Sequence, residues 1–167
     1  MSHVLLESET IAPNPIELAE EIMVSRELPF ERPIDGELIA ELTGSWCNYR
    51  LWLSWEENMG AFIITSAYDV KIPEKHRALI YPLLAKVNEN ILLGHFDMIG
   101  HDGNICYRYA QLLKGPRSIS AELLEQIIDV AVSECERFYP AFQSVLWGGK
   151  DTEQALQMAI MEPMGEA

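Results

Sequence analysis

The stretch Gly94-His-Phe-Asp-Met-Ile-Gly-His-Asp-Gly-Asn-Ile-Cys-Tyr-Arg-Tyr109 sets two alternating runs on either side of Asp102-Gly103. That dipeptide between period-2 runs is the strongest short-range signal for a β-hairpin. With Asp102 and Gly103 as the two loop residues of a type I′ turn, Phe96 falls opposite Tyr109, Met98 opposite Tyr107 and Gly100 opposite Ile105. These residues form one apolar face. The other face carries His95, Asp97, Ile99, Cys106, Arg108 and Ala110, with Asp97 directly opposite Arg108 as a cross-strand ion pair. A hairpin with one oily and one amphipathic face belongs to a larger sheet that is covered on one side and available on the other.

Upstream of the hairpin, Pro73 opens a helical segment whose apolar positions Leu79, Ile80, Leu83, Leu84, Val87, Ile91 and Leu92 recur at three and four. It closes at Gly94 as a C-terminal cap, and Pro82 is expected to kink or divide it. Before that, the odd positions Cys47, Tyr49, Leu51, Leu53 and Trp55 form an apolar period-2 series, whereas the even positions Trp46, Asn48, Arg50, Trp52 and Ser54 mix aromatic and polar groups. Glu56 to Gly60 is the turn to a returning strand over Ala61 to Val70. Leu38 to Thr43 is read as a strand because β structure follows directly.

Near the start, Asn14 can cap a helix, with Pro15 at its first position and Glu17 placed for a capping box. Pro29 and Pro33 end that pattern. Downstream, Lys114-Gly-Pro-Arg-Ser118 is a loop, and Ser120 caps a long helix with a staple between Ile119 and Leu124. Its face runs through Leu123, Ile127, Ile128, Ala131, Val132, Cys135, Phe138, Tyr139 and Phe142, and Pro140 can bend its end. Thr152 to Ile160 supplies a short C-terminal helix. The class is α+β: an antiparallel sheet of about five strands with helices on one face, in the order α-β-β-β-α-β-β-α. Residues 1–13 read as a loose arm, 14–161 as a single domain and 162–167 as a tail.

The chain has 167 residues and a net charge of −14. Residues 1–44 hold ten acidic and two basic side chains, 45–100 hold six and five, and 101–167 hold ten and five. A surplus of acid at both flanks disfavours nucleic acid and anionic membrane, which need basic surface against phosphates. No apolar run approaches a membrane span, and the first residues have neither the basic start nor the apolar core of a signal peptide, so a cytoplasmic location is the expectation. Cys47, Cys106 and Cys135 have no Cys-x-x-Cys spacing and read as free thiols.

Candidate chemistry is sparse. His95, Asp97, His101, Asp102 and Cys106 come near one another on the hairpin, but Asp97 has Arg108 as a competing partner and His101 and Asp102 lie at the turn, far from His95. An ion pair and a turn aspartate explain them better than a metal site. No nucleophile-elbow, His-Glu-x-x-His or phosphate-loop spacing is present. Of the aromatic group Trp46, Tyr49, Trp52, Trp55, Tyr68, Tyr107 and Tyr109, residues Tyr49, Trp55 and Tyr107 read as core. Trp46 and Trp52 alternate with Asn48 and Arg50, and for them a protein interface and simple burial stand level.

The run Gly44-Ser-Trp-Cys-Asn-Tyr-Arg-Leu-Trp52, the segment Leu84-Ala-Lys-Val-Asn88 to Gly94-His-Phe96, the strand and turn Asp97 to Gly103, Tyr107-Arg-Tyr109 and the helix ending near Tyr139-Pro-Ala141 together resemble the YbjN-domain family of bacterial proteins, over roughly residues 14–147. The resemblance implies a fold similar to type III secretion chaperones, with the same element order. It implies a bacterial source, a non-enzymatic role described as sensory transduction regulation, no catalytic residues and no cofactor. Asn88 matches an asparagine common in the family, and we read it as a buried amide bonded to backbone. Gly94, Asp97, Asp102, Gly103 and Arg108 are structural in this reading. The functional expectation is a homodimeric, chaperone-like module that binds another protein through Trp46, Asn48, Arg50 and Trp52, in signal transduction or stress response. The alternative is a small-ligand sensor or enzyme with its pocket between sheet and helices.

Overall fold

The computed structural model describes residues 14–113 and 119–161. The expected arm over 1–13, the Lys114–Ser118 loop and the tail over 162–167 lie outside the described residues. Helix α1 (Pro15–Ser25) leads to β1 (Phe30–Glu31), β2 (Glu37–Thr43), β3 (Asn48–Glu56) and β4 (Ala61–Lys71). Then come α2 (Glu74–Glu89), β5 (His95–Ile99), β6 (Asn104–Leu112), α3 (Ala121–Leu146) and α4 (Thr152–Met161). The strands form one antiparallel sheet in the order β1-β2-β3-β4-β6-β5. The α+β expectation holds, with one strand more than the five read from the sequence. The extra strand, β1, has only two residues and lies between Pro29 and Pro33, too short to show any period.

Capping follows the sequence. Asn14 Oδ1 accepts from the Ile16 amide at 2.9 Å and Ser120 Oγ from the Leu123 amide at 3.1 Å, each satisfying a donor with no partner inside its helix. Pro82 does not divide α2, which runs as one helix to Glu89. Its end is nearer than the periodicity suggested. Asn90 closes it with its side-chain amide on the Lys86 carbonyl at 2.9 Å, and Leu92, assigned to the apolar stripe, is 95% exposed. Gly94 is therefore not the cap. It enters β5 at φ +72°, and a Cβ there would lie 2.4 Å from the Tyr107 hydroxyl and 2.6 Å from the Arg108 carbonyl. Leu123 is also displaced from its expected role: it is 40% exposed, and Leu124 is the buried residue at that turn of α3.

The hairpin forms with a different register. Phe96 pairs with Tyr107, Met98 with Ile105, Asp97 with Cys106 and His95 with Arg108, and the ladder ends at Ile99 and Asn104. The loop is thus the four residues Gly100–Gly103. Gly100 (φ +76°) and Gly103 (φ +65°) both take left-handed backbone, and the Gly103 amide donates to the Gly100 carbonyl at 3.3 Å. A turn with two such glycines closes on Ile99 and Asn104, two residues earlier on β5 than a loop of Asp102-Gly103 alone would. The slip is two residues, an even number, so every side chain keeps its face. Asp97 and Arg108 are diagonal rather than opposite and lie 3.9 Å apart. The turn is tied down by Arg77 of α2, which donates to the His101 carbonyl, and by an ion pair between Asp102 and Lys71 at 3.2 Å.

One face of the sheet is buried. Leu38, Ala40, Tyr49, Leu51, Leu53, Phe62, Ile64, Phe96 and Tyr107 meet apolar residues of α1, α2 and α3, and α4 packs on α2 and α3. At the β5 edge the amide of Asn88 takes the place of a neighbouring strand. Its Nδ2 donates to the Phe96 carbonyl at 3.0 Å while its Oδ1 accepts from the Phe96 amide at 2.7 Å. Asn88→Ala leaves both groups of Phe96 without these partners and is expected to lower the unfolding free energy by about 1–3 kcal/mol. Gly94→Ala, strained in φ and blocked by Tyr107, should cost at least as much; urea denaturation of the two variants measures both.

Candidate functional site

The face of the sheet turned away from the helices is the candidate site. Its residues come from the even positions of β3 and β6 and the odd positions of β2, β4 and β5, as the pleat requires. Continuous cross-strand pairing draws one row through all six strands: Glu31, Ile39, Trp52, Thr65, Arg108 and His95. A parallel row runs Glu41, Arg50, Ala67, Cys106 and Asp97. Trp52 is 45% exposed near the centre. Ile39, Ile63, Thr65 and Ala67 beside it are half-buried. Acid gathers at one end, where Ile39 has Glu31 beside it and Glu37 and Glu41 two residues away along β2. The other end carries Arg108 and His95.

The four residues expected to act together do not share this surface. Asn48, Arg50 and Trp52 lie on it, and Arg50 reaches Glu41 at 3.3 Å. Trp46 precedes β3 in a bend, so strand alternation does not govern it, and its ring stacks on Tyr139 of α3 with centroids 6.2 Å apart and planes 16° from parallel. The bend itself is drawn to α3 by Glu136, whose Oε1 accepts from the Ser45 amide at 2.8 Å and the Tyr49 hydroxyl at 2.6 Å. Gly44 permits that approach, since a Cβ there would meet the Tyr49 ring and Glu136 Oε1 at about 2 Å. Burial and the Glu136 carboxylate together push the Tyr49 phenol above its ordinary range.

Backbone groups are engaged along the β5 edge and along the part of β2 that two-residue β1 leaves uncovered. At β5 the Phe96 amide and carbonyl are held by Asn88, and the Met98 amide donates to Asp97 Oδ1 at 2.8 Å. At the far side the Glu41 amide donates to the Pro29 carbonyl, the Glu37 amide to the Ile34 carbonyl, and Arg32 Nε to the Glu37 carbonyl, each at 3.1 Å. Side chains and short returns of the chain thus use backbone groups that a visiting strand would need.

Two concave features bear on ligand binding. One, of about 260 Å³, lies on the open face where the register between β4 and β6 shifts between Ala67 and Lys71, and is lined by Arg50, Lys71, Asp69 and Asp102 among others. The second, of about 130 Å³, lies between β6 and α3 and is apolar, with Leu93, Tyr109, Leu123, Ile127 and Val130. Ligand pockets are commonly about 300–1,000 Å³. Among the described residues no three His, Cys, Asp or Glu side chains assemble as a metal set. No helix among the described residues is long and apolar enough to cross a membrane.

The three thiols are unpaired. Burial pushes Cys106 and Cys135 up to about 12 and raises Cys47 above its ordinary value. Because the thiolate is the nucleophile, all three should react with iodoacetamide at pH 8 more slowly than a free thiol, with half-buried Cys47 first. Mass mapping of the alkylated native protein checks the order; rapid labelling of Cys106 would contradict the geometry.

The family model described as "YbjN: Putative bacterial sensory transduction regulator" matches residues 15–144. No curated protein matches the chain. Among solved structures, the chain is similar to "YbjN, a putative transcription regulator from E. coli", with a TM-score of 0.52 at 7% identity, covering 72% of this chain and 85% of that one. At that identity the likeness is one of fold.

Proposed function

The chain belongs to the YbjN family, and from that premise we propose that it is a non-enzymatic, cytoplasmic regulatory module that works by holding another protein chain on the open face of its sheet. The family is one of sensory transduction regulators rather than a known enzyme family. The observation that carries the reading is the row from Glu31 to His95, unbroken across six strands with Trp52 exposed at its middle. An exposed tryptophan flanked by half-buried aliphatic groups and rimmed by charge has the make-up of a binding hot spot. The backbone groups already held along β5 and β2 support recognition by the face over strand addition there.

Two other modes are less well supported. The fold neighbour's title refers to transcription, yet direct phosphate contact needs clustered cations. This chain has a net charge of −14, and its open face carries Glu31, Glu37 and Glu41. A small-ligand pocket between sheet and helices would need more room than the 130 Å³ groove beside Tyr109 provides.

A photoreactive amino acid placed at Trp52, compared with one at exposed Glu153 on α4, tests the reading in cells of the source bacterium. A defined adduct is expected from position 52 and none from 153. Trp52→Ala should weaken binding of the captured chain by about tenfold or more, since truncated hot-spot residues cost upward of 1–2 kcal/mol. Equal labelling at both positions, or affinity unchanged by Trp52→Ala, would sink it.

A further inference from the structure

We infer that the chain held on the open face is a second copy of this protein, packed face to face about a twofold axis that runs along the strands between β3 and β4. The inference rests on the open face being the binding surface, and it names the occupant from the charge pattern of that surface. A rotation of this kind reverses the strand order and keeps the rows aligned. It sets β1 over β5, β2 over β6 and β3 over β4 of the second copy.

The consequences follow from the observed register. Trp52 comes to lie over Thr65 of the second copy, so the two tryptophans flank the axis and cover each other's exposed edges. Ile39 comes to lie under Arg108 of the second copy. Ile39 is the position ringed by Glu31 across the strand pair and by Glu37 and Glu41 along β2. The guanidinium of one copy therefore arrives above three carboxylates of the other, and the contact occurs twice. Among the described residues Arg108 pairs with Asp97, 3.9 Å away, and at 43% exposure it has room for further acceptors. Glu31 is likewise set toward His95 of the second copy. The ends of the row are complementary to each other, which is what an isologous interface needs.

The available area is sufficient. Six strands about 4.8 Å apart and two to eleven residues long, about seven on average at about 3.3 Å each, give a face of roughly 24 by 25 Å. That is about 600 Å² from each copy and about 1,200 Å² in the pair, the low end of specific interfaces. Aligned packing of two such sheets is a standard arrangement, with mean strand directions about 30° apart. The backbone groups held by Asn88 and Asp97 at β5 favour the face over the β5 edge as the surface by which two sheets meet.

Charge exchange tests the inference. Light scattering of the full chain over about 1–200 µM should show a dimer, in keeping with the modest area. Arg108→Glu places a carboxylate over three others. The double variant Glu31→Lys with Glu41→Lys places Arg108 over two lysines. Each variant alone should dimerise at least about tenfold more weakly than the parent. Mixed together they should form a heterodimer of near-parental affinity, because both contacts are then of opposite charge. Thermal unfolding of each variant alone separates lost association from lost folding, and Thr65→Arg, which crowds the Trp52 contact, gives an independent second variant.

A parent chain that stays monomeric at 200 µM overturns the inference. So does a dimer that Arg108→Glu and Thr65→Arg leave intact, or a mixture of the charge variants that does not pair. A monomeric parent whose Trp52 adduct is a different protein leaves the face as a binding surface and overturns only the second copy.

Discussion

The hydroxyl of Tyr68, buried between the sheet and α3, donates to the Cys135 carbonyl at 2.7 Å, and much of the structure is arranged around that contact. The ring meets Tyr49 of β3, Phe96 of β5, and Tyr139 and Phe142 of α3, with centroids 5.3 to 6.1 Å apart. Edge-on, tilted and stacked aromatic pairs such as these contribute beyond the area they bury. A phenol with no partner would be costly at this depth, so the bond fixes where α3 may lie over the sheet. Burial also drives the Tyr68 phenol well above its ordinary range, which keeps it a donor. Cys135 contributes twice, since its thiol points at Ser66, the polar residue of β4 buried beside it.

From that anchor the asymmetry of the molecule follows. α1, α2 and α3 cover one side of the sheet with apolar surface, and the other side keeps a central tryptophan between opposite charges. Asn88, Asp97 and Arg32 each use a polar side chain to satisfy backbone groups at a sheet margin. Asn88 and Asp97 do so at the β5 edge, and Arg32 beside the short strand β1.

Much of the fold could be read from the residues because local rules and tertiary packing agree. The caps at Asn14 and Ser120, the period-2 run of β3, the β-rich residues of β4 and the amphipathic α3 each point to one structure. Where local signals were weak or competed, the reading departed. β1 is too short to carry a pattern. Asp102-Gly103 suggested a two-residue loop, but Gly100 supplied a second left-handed position and widened it. Ile91 and Leu92 continued the helical spacing of α2, and Asn90 ended it by bonding back to Lys86. Trp46 shows the limit of alternation most clearly: it shares parity with Trp52, yet Glu136 pulls its bend to the helix layer. No local signal in residues 44–47 announces an attachment to a residue 91 positions away. The cross-strand row from Glu31 to His95 was similarly out of reach, since it exists only once six registers are known.

The side-chain cap on β5 has a bearing on how the chain reaches this state during synthesis. A bare strand margin is most hazardous while a protein is still incomplete, when slow, long-range pairing leaves hydrogen-bonding groups open to other chains. Asn88 precedes Phe96 by eight residues, so the amide that covers this margin emerges from the ribosome before the strand it covers. Its partner is close in sequence, and the closure is entropically cheap. The vulnerable border of the sheet is thereby paired by a local contact before β6, synthesised later, has found its place between β5 and β4.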